Sequence, residues 1–260
     1  MNQLHVISAF CKAGQKLSGV ELGSTSLLKY IKNPKYVDLI TNFENEYSYV
    51  SLNNLVKKSL TDSHYKTCIL GGDHSICSAT IPAFFDTYKE NGHVLWIDAH
   101  ADINTINSSP SGNSHGMPLA KAFGLEKNIV FNKYKPNFKQ LTYLGLRDLD
   151  FFEKSFIENN NIKCFNMGKY TENMLINNFK NKNLYISFDV DSLEPKIMPC
   201  TGTKVSNGID IDELCALIQN INDKCTINCF DIVEYNPKIG NGEEIMLSEI
   251  NIAKYIDAII

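Results

Sequence analysis

The chain has 260 residues, 43% of them hydrophobic and 21% charged, with a formal net charge of -4. That length and apolar fraction suffice for one large α/β domain with a buried core, and nothing in the composition suggests disorder. The acidic balance offers phosphate no basic face, so the expected partner is a small polar molecule rather than nucleic acid. No stretch approaches the roughly 20 apolar residues that span a bilayer, and MNQLHVISAF has no basic segment ahead of a long apolar run. A cytoplasmic protein with no membrane partner is expected.

His5 to Phe10 read as a first strand, followed by the glycine-containing loop AGQKLSGVELGS. A helix from about Ser24 to Ile31, a strand over Val37 to Thr41 and a helix over SLNNLVKKSL come next. The run TCILGG is a strand ending in a turn, where paired glycines permit a tight reversal. His74 stands at that junction, ahead of a helical pattern interrupted by Pro82. The run from Val94 is a strand, and later strands are expected at LTYLGL, KCFNM, NLYISFDVD and TINCFDIV. GIDIDELCALIQNI is a helix capped by Asp210, with Glu213 completing a capping box; a last helix begins near Glu243. Strands and helices alternating along the whole chain predict a single-domain, three-layer α/β fold over residues 1–260, with a parallel sheet covered by helices on both faces. The eight cysteines are scattered through apolar patterns and read as free buried thiols.

The stretch VLWIDAHADINTINSSPSGNSHG, Val94 to Gly116, concentrates the polar chemistry. If the strand continues through it, Asp98 and His100 share a face and Asp102 can join them. Two carboxylates and an imidazole so close at a buried strand end call for a compensating cation. Asp189 and Asp191 repeat the spacing at another strand end, and His74 and Glu234 end two more. In doubly wound sheets ligands gather at the carboxyl ends of strands, so these residues converge if their strands are neighbours. Any one of them alone would be a solvated loop residue or a structural histidine; the set is harder to explain that way. Carboxylates with only two imidazoles and no thiolate suit Mn²⁺ or a related divalent ion. Four aspartates balance two such ions, and a metal pair about 3.5 Å apart can hold a shared water as hydroxide, which points to hydrolysis.

GGDHS, DAHAD, SGNSHG and SFDVDSLEP, in this order, resemble the ureohydrolases, binuclear manganese enzymes that include arginase, agmatinase and formimidoylglutamase. The resemblance runs from GVELG to the end of the chain. It implies an eight-stranded parallel sheet, and two Mn²⁺ per chain: one held by His74, Asp98, Asp102 and Asp189, the other by His100, Asp98, Asp189 and Asp191, with Asp98 and Asp189 bridging. DINT, GLRDLD with Glu153, TGT and DIVEYNP are most similar to the arginase branch, which hydrolyses L-arginine to L-ornithine and urea through a metal-bridging hydroxide. Carried over to these positions, catalysis falls to His115 as proton shuttle, Glu234 as guanidinium partner and Asp102. Asn104, Ser109, Ser111 and Asn113 would hold the α-carboxylate, and Asp150 the α-amino group with Glu153 and Thr203 nearby. GVELGS lacks a proline that often follows in arginases, and Ser109 stands where many have threonine. The chain stops at its last helix, without the tail that helps animal arginases form trimers; a homo-oligomer is nonetheless expected. Two alternatives remain: a sister enzyme acting on agmatine or another guanidino compound, and a guanidino-binding protein without turnover.

Overall fold

The computed structural model describes residues 3–43, 45–62, 64–130, 133–168 and 171–260. In chain order the elements are β1 (Gln3–Ala9), α1 (Gly23–Leu28), β2 (Tyr36–Ile40), α2 (Tyr47–Thr61), β3 (Tyr65–Leu70), α3 (Cys77–Tyr88), β4 (Gly92–Ile97), α4 (Pro118–Ala122), β5 (Leu141–Leu144), α5 (Phe151–Asn159), β6 (Lys163–Phe165), α6 (Thr171–Phe179), β7 (Asn183–Asp189), α7 (Ile211–Lys224), β8 (Thr226–Val233) and α8 (Gly242–Ile259). The strands make one eight-stranded sheet in the order β2-β1-β3-β8-β7-β4-β5-β6. Every neighbouring pair is parallel.

Because successive strand residues point to opposite faces, each central strand feeds two cores. Leu95 and Ile97 of β4 join Leu70, Phe188 and the buried faces of α6, α7 and α8. Val94 and Trp96 join Ile69, Tyr185 and the buried faces of α2, α3 and α4. This double burial explains why the strands read as apolar runs rather than as clean alternation.

Two local expectations need correction. Pro82 does not interrupt its helix: α3 runs through it, from Cys77 to Tyr88. Proline lacks the N–H that would bond the carbonyl four residues back, and here the Asn128 side chain donates to that carbonyl, Ser78 O, at 2.7 Å. At α7, Asp210 does cap the helix through the Asp212 and Glu213 N–H groups, but among the described residues Glu213 makes no return bond, so the box is half formed. A full box forms instead at α5, between Asp150 and Glu153. The cysteines are free, and Cys11, Cys68, Cys77, Cys200 and Cys229 are buried. No helix among the described residues is long and apolar enough to cross a membrane.

Candidate active site

The polar residues singled out above sit at the carboxyl ends of β3, β8, β7, β4 and β5, which are consecutive in the sheet. His74 opens a turn after β3, Glu234 follows β8, Asp189 ends β7, Asp98 follows β4, and Asp150 lies beyond β5. The pleat does not align Asp98, His100 and Asp102 as expected, because β4 ends at Ile97. Loop hydrogen bonds bring them together: His100 N–H donates to Asp98 Oδ1 at 2.7 Å, and Ala99 N–H to Asp191 Oδ1 at 3.3 Å. Asp102 and Glu234 both have left-handed backbones, with φ of 50° and 65°. Non-glycine residues adopt that region at an energetic cost, and it recurs where a side chain is held for function.

Three carboxylates surround one imidazole nitrogen. His74 Nδ1 lies 3.3 Å from Asp98, 3.0 Å from Asp102 and 3.1 Å from Asp189, each through Oδ2. The other nitrogen, Nε2, lies 2.8 Å from Ser187 Oγ, and Ser187 donates to Asp231 Oδ1 at 2.8 Å. Since the serine proton goes to Asp231, the bond to His74 is donated by Nε2–H, which turns Nδ1 toward three carboxylate oxygens, where it is a charged donor when protonated and a lone pair when a cation takes the place of that proton. Such a cluster repels itself unless a cation sits within it. A second group forms beside it, His100 Nδ1 being 3.0 Å from Asp191 Oδ2 and 3.5 Å from Asp98 Oδ1. The two groups, His74–Asp98–Asp189 and Asp98–His100–Asp191, share Asp98. A third set, His74, Cys77 and Asp231, is also close together; there Asp231 is already bonded by Tyr185, Ser187, Cys77 and Phe188 N–H, so its oxygens serve as acceptors behind the site.

The ionisation tendencies express the same frustration. Burial, then the charges of Asp191 and Asp98, push Asp189 well above the usual carboxylate range. Burial and Asp98 push Asp102 up to about 6. Burial also acts against Asp98, yet the two histidines outweigh it and hold Asp98 low. These carboxylates cannot all ionise in this volume without added positive charge, and oxygen-rich donors with one imidazole per group fit a pair of divalent cations.

Above this floor opens a cavity of about 340 Å³, lined by His100, Asp102 and Asp189, by His115 and Thr203, and by Asn104, Ser109, Ser111, Asp150 and Glu153. Asn113 is not part of its wall; its N–H donates to Ser111 Oγ at 3.2 Å. His74, Asp98, Asp191 and Glu234 are buried beneath. His115 Nδ1 lies 3.2 Å from Glu234 Oε1; burial lowers the imidazole pKa, but Glu234 and then Asp102 outweigh it and raise it to about 9. Asn104 Nδ2 donates to Asp150 Oδ2 at 2.7 Å, and Thr203 Oγ1 to Asp191 Oδ2 at 2.6 Å. Burial, Asp102 and Asp150 push Glu153 up to about 8.

Sequence reading passed over several supports. The Trp96 ring stacks on His74 at a 4.0 Å centroid separation and 4° between planes, while its Nε1–H donates to Asp98 Oδ2 at 2.9 Å. Trp96 sits inside an apolar run and gave no signal beyond core. Arg147, inside GLRDLD, and Gln15, inside the loop AGQKLSGVELGS, likewise carry no local signal of a supporting role.

The site belongs to a recognisable lineage. The arginase of Schizosaccharomyces pombe is 35% identical over 228 residues, covering 82% of this chain and 68% of that protein. The arginase of Glaciozyma antarctica is 34% identical over 229 residues, 81% of this chain and 63% of its own length, so the chain spans about two thirds of these relatives. The crystal structure of Entamoeba histolytica arginase in complex with L-ornithine superposes with a TM-score of 0.88 at 30% identity, covering 99% of this chain and 98% of that one. A model of the arginase family matches residues 8–256, nearly the whole length, and the chain therefore belongs to the arginase family.

Proposed function

We propose that the protein is a manganese-dependent arginase, hydrolysing L-arginine to L-ornithine and urea, with residues 1–260 acting as one domain. The observation that carries this reading is the pair of buried histidine–carboxylate groups sharing Asp98 at the floor of a polar cavity. His74, Asp98, Asp102 and Asp189 would hold one cation, and His100, Asp98, Asp189 and Asp191 the other. Bound there, the two ions would supply Lewis-acid activation of a water nucleophile.

The remaining chemistry falls to the side chains. Glu234 is buried and pairs with His115, and His115 and the His74 N–H outweigh its burial to keep its pKa low; an ionised carboxylate there suits the substrate guanidinium. Water adds to the guanidinium carbon, the bond to the side-chain nitrogen breaks, and that nitrogen leaves as an amine needing a proton. His115, protonated near neutrality, is the donor. At the far end Asp150 would take the α-ammonium, with Glu153 and Thr203 nearby. Asn104, Ser109 and Ser111 would donate to the α-carboxylate, with Asn113 supporting them through its N–H on Ser111 Oγ. The free thiols suit a reducing compartment, in keeping with a cytoplasmic setting.

Agmatine lacks the α-carboxylate and would leave these donors unpaired, so arginine should be preferred by a factor of about 10³ or more in kcat/KM. Separate kinetic runs of the manganese-loaded protein on each substrate test this, with urea release as the readout. Agmatine turned over as well as arginine would move the protein to the agmatinase branch; release from neither would leave a guanidino-binding protein.

A further inference from the structure

The segment from Cys11 to Gln15 is pinned to the loops that carry His74 and His115. Cys11 O accepts the Asp73 N–H at 2.9 Å, and Gly14 O accepts the His115 N–H at 3.1 Å. Gly14 N–H donates to Asp73 Oδ2 at 2.7 Å. A Cβ on Gly14 would stand 2.5 Å from Asp73 Oδ1, 2.7 Å from Ser75 Cβ and 2.9 Å from His115 N, so only glycine permits the approach. This clamp delivers the next side chain to Glu234: Gln15 Nε2 donates to Glu234 Oε2 at 2.6 Å.

The three donors on Glu234 are unevenly shared. Oε1 takes the His74 N–H at 2.8 Å and His115 Nδ1 at 3.2 Å, while Oε2 takes Gln15. A carboxylate offers about four acceptor directions, and a guanidinium binds edge-on through one on each oxygen. One direction on Oε2 is therefore open, and one on Oε1 opens when His115 turns to the leaving amine. A lysine or arginine in place of Gln15 would neutralise Glu234 and repel the substrate cation; an amide orients the carboxylate without discharging it.

Resting on the reading of Glu234 as the guanidinium partner, we infer that Gln15 is a positioning residue that fixes the rotation of the Glu234 carboxylate, and so the angle at which the guanidinium meets the attacking water. A guanidinium held at the wrong angle still binds by charge but reacts slowly, so the effect belongs in kcat. In the manganese-loaded enzyme, Gln15→Met should lower kcat for arginine by about 10- to 100-fold and leave KM within about threefold. Inhibition by L-ornithine, which has no guanidinium to meet Glu234, should stay at the wild-type value. Gln15→Asn keeps the amide but is one methylene short, and should behave as Gln15→Met does, which covers failure of the first variant to fold. A wild-type kcat in either variant overturns the inference, as does a kcat loss matched by an equal loss of ornithine affinity, the mark of a collapsed loop. Glu234→Gln separates the two levels. If it keeps wild-type turnover, the reading of Glu234 fails and takes Gln15 with it; if it is inactive while Gln15→Met is not, only the Gln15 inference is lost.

Discussion

Replacing Arg147 should damage stability and metal binding together, although Arg147 is neither a proposed ligand nor in the cavity wall. Its guanidinium donates to five backbone carbonyls at 3.1 Å or less: Asp191 at 2.7 Å, Val205 at 2.9 Å, and Gly145, Ser192 and Ser206 at 3.1 Å. Its own N–H and that of Asp148 donate to Ala99 O, at 2.9 and 3.0 Å. One residue thus ties together the loops after β4, β5 and β7, which carry Asp98 and His100, Asp148 and Asp150, and Asp191 and Thr203. Hydrogen bonds from a charged donor each contribute about 1.5 kcal/mol; water would replace some of them at this half-buried site, so Arg147→Met should cost about 3–4 kcal/mol. Arg147→Lys keeps the charge but not the planar fork, and should recover less than half of that. Urea unfolding in the presence of a chelator reads the stability change free of metal. Calorimetric titration with Mn²⁺ reads the second effect, an affinity loss of about 10- to 100-fold as Asp191 loosens. Wild-type stability together with wild-type affinity in Arg147→Met would refute the argument.

Three further outcomes are expected. Asp189→Ala should lose both ions, because both proposed ligand sets include Asp189; elemental analysis that finds two retained ions per chain would remove the proposed bridging role. His115→Ala should lower kcat by about 100-fold or more with metal content unchanged, and added imidazole should restore part of the rate; an unaltered kcat would make His115 a loop residue. The third concerns pH and lies outside the site. Burial, then Lys163 and Lys182, lower the His93 pKa to about 3, below its unfolded value of about 6.5. Between those values the unfolded chain binds the extra proton, so His93 leaves stability intact above pH 6.5 and erodes it as pH falls, by about 2 kcal/mol at pH 5. The unfolding free energy of wild type should therefore drop more between pH 7 and 5 than that of His93→Gln, and parallel declines would contradict it.

The sheet and the cluster of histidines and carboxylates were legible because both are written locally. Apolar runs such as VLWI mark strands buried on both faces, and DAHAD and FDVD put metal-ligating residue types side by side at strand ends. What was not legible depends on partners distant in sequence. The continuity of α3 through Pro82 rests on Asn128, whose amide has no local pattern. Extending the pleat through Asp98 and Asp102 was the wrong mechanism for a right grouping, since the turn there depends on Asp191 and on a left-handed backbone at Asp102. Gln15 and Arg147 act on residues 219 and 44 positions away, and neither residue type signals such a role on its own.

The reading of Asp150 and Glu153 as a substrate subsite gains a physical basis from their helix. Asp150 Oδ1 caps α5 by accepting the Glu153 N–H at 2.9 Å, and Glu153 Oε2 accepts the Asp150 N–H at 3.3 Å. Capping fixes one Asp150 oxygen, and Asn104 holds the other at 2.7 Å, so the carboxylate is oriented before any ligand arrives. Burial, then Asp102 and Asp150, push the Glu153 pKa up to about 8, so Glu153 resists adding a second negative charge beside Asp150. One charge suits a single α-ammonium, whereas two would favour a dication or a metal in the wrong place. The same Asn104 amide that holds Asp150 is a proposed donor to the α-carboxylate, which ties recognition of the two ends of the amino-acid group to one side chain. A ligand lacking the carboxylate would leave that donor unpaired beside an acid already held in place, and on the proposed reading it is this donor, rather than the metal floor, that would let the site tell arginine from agmatine.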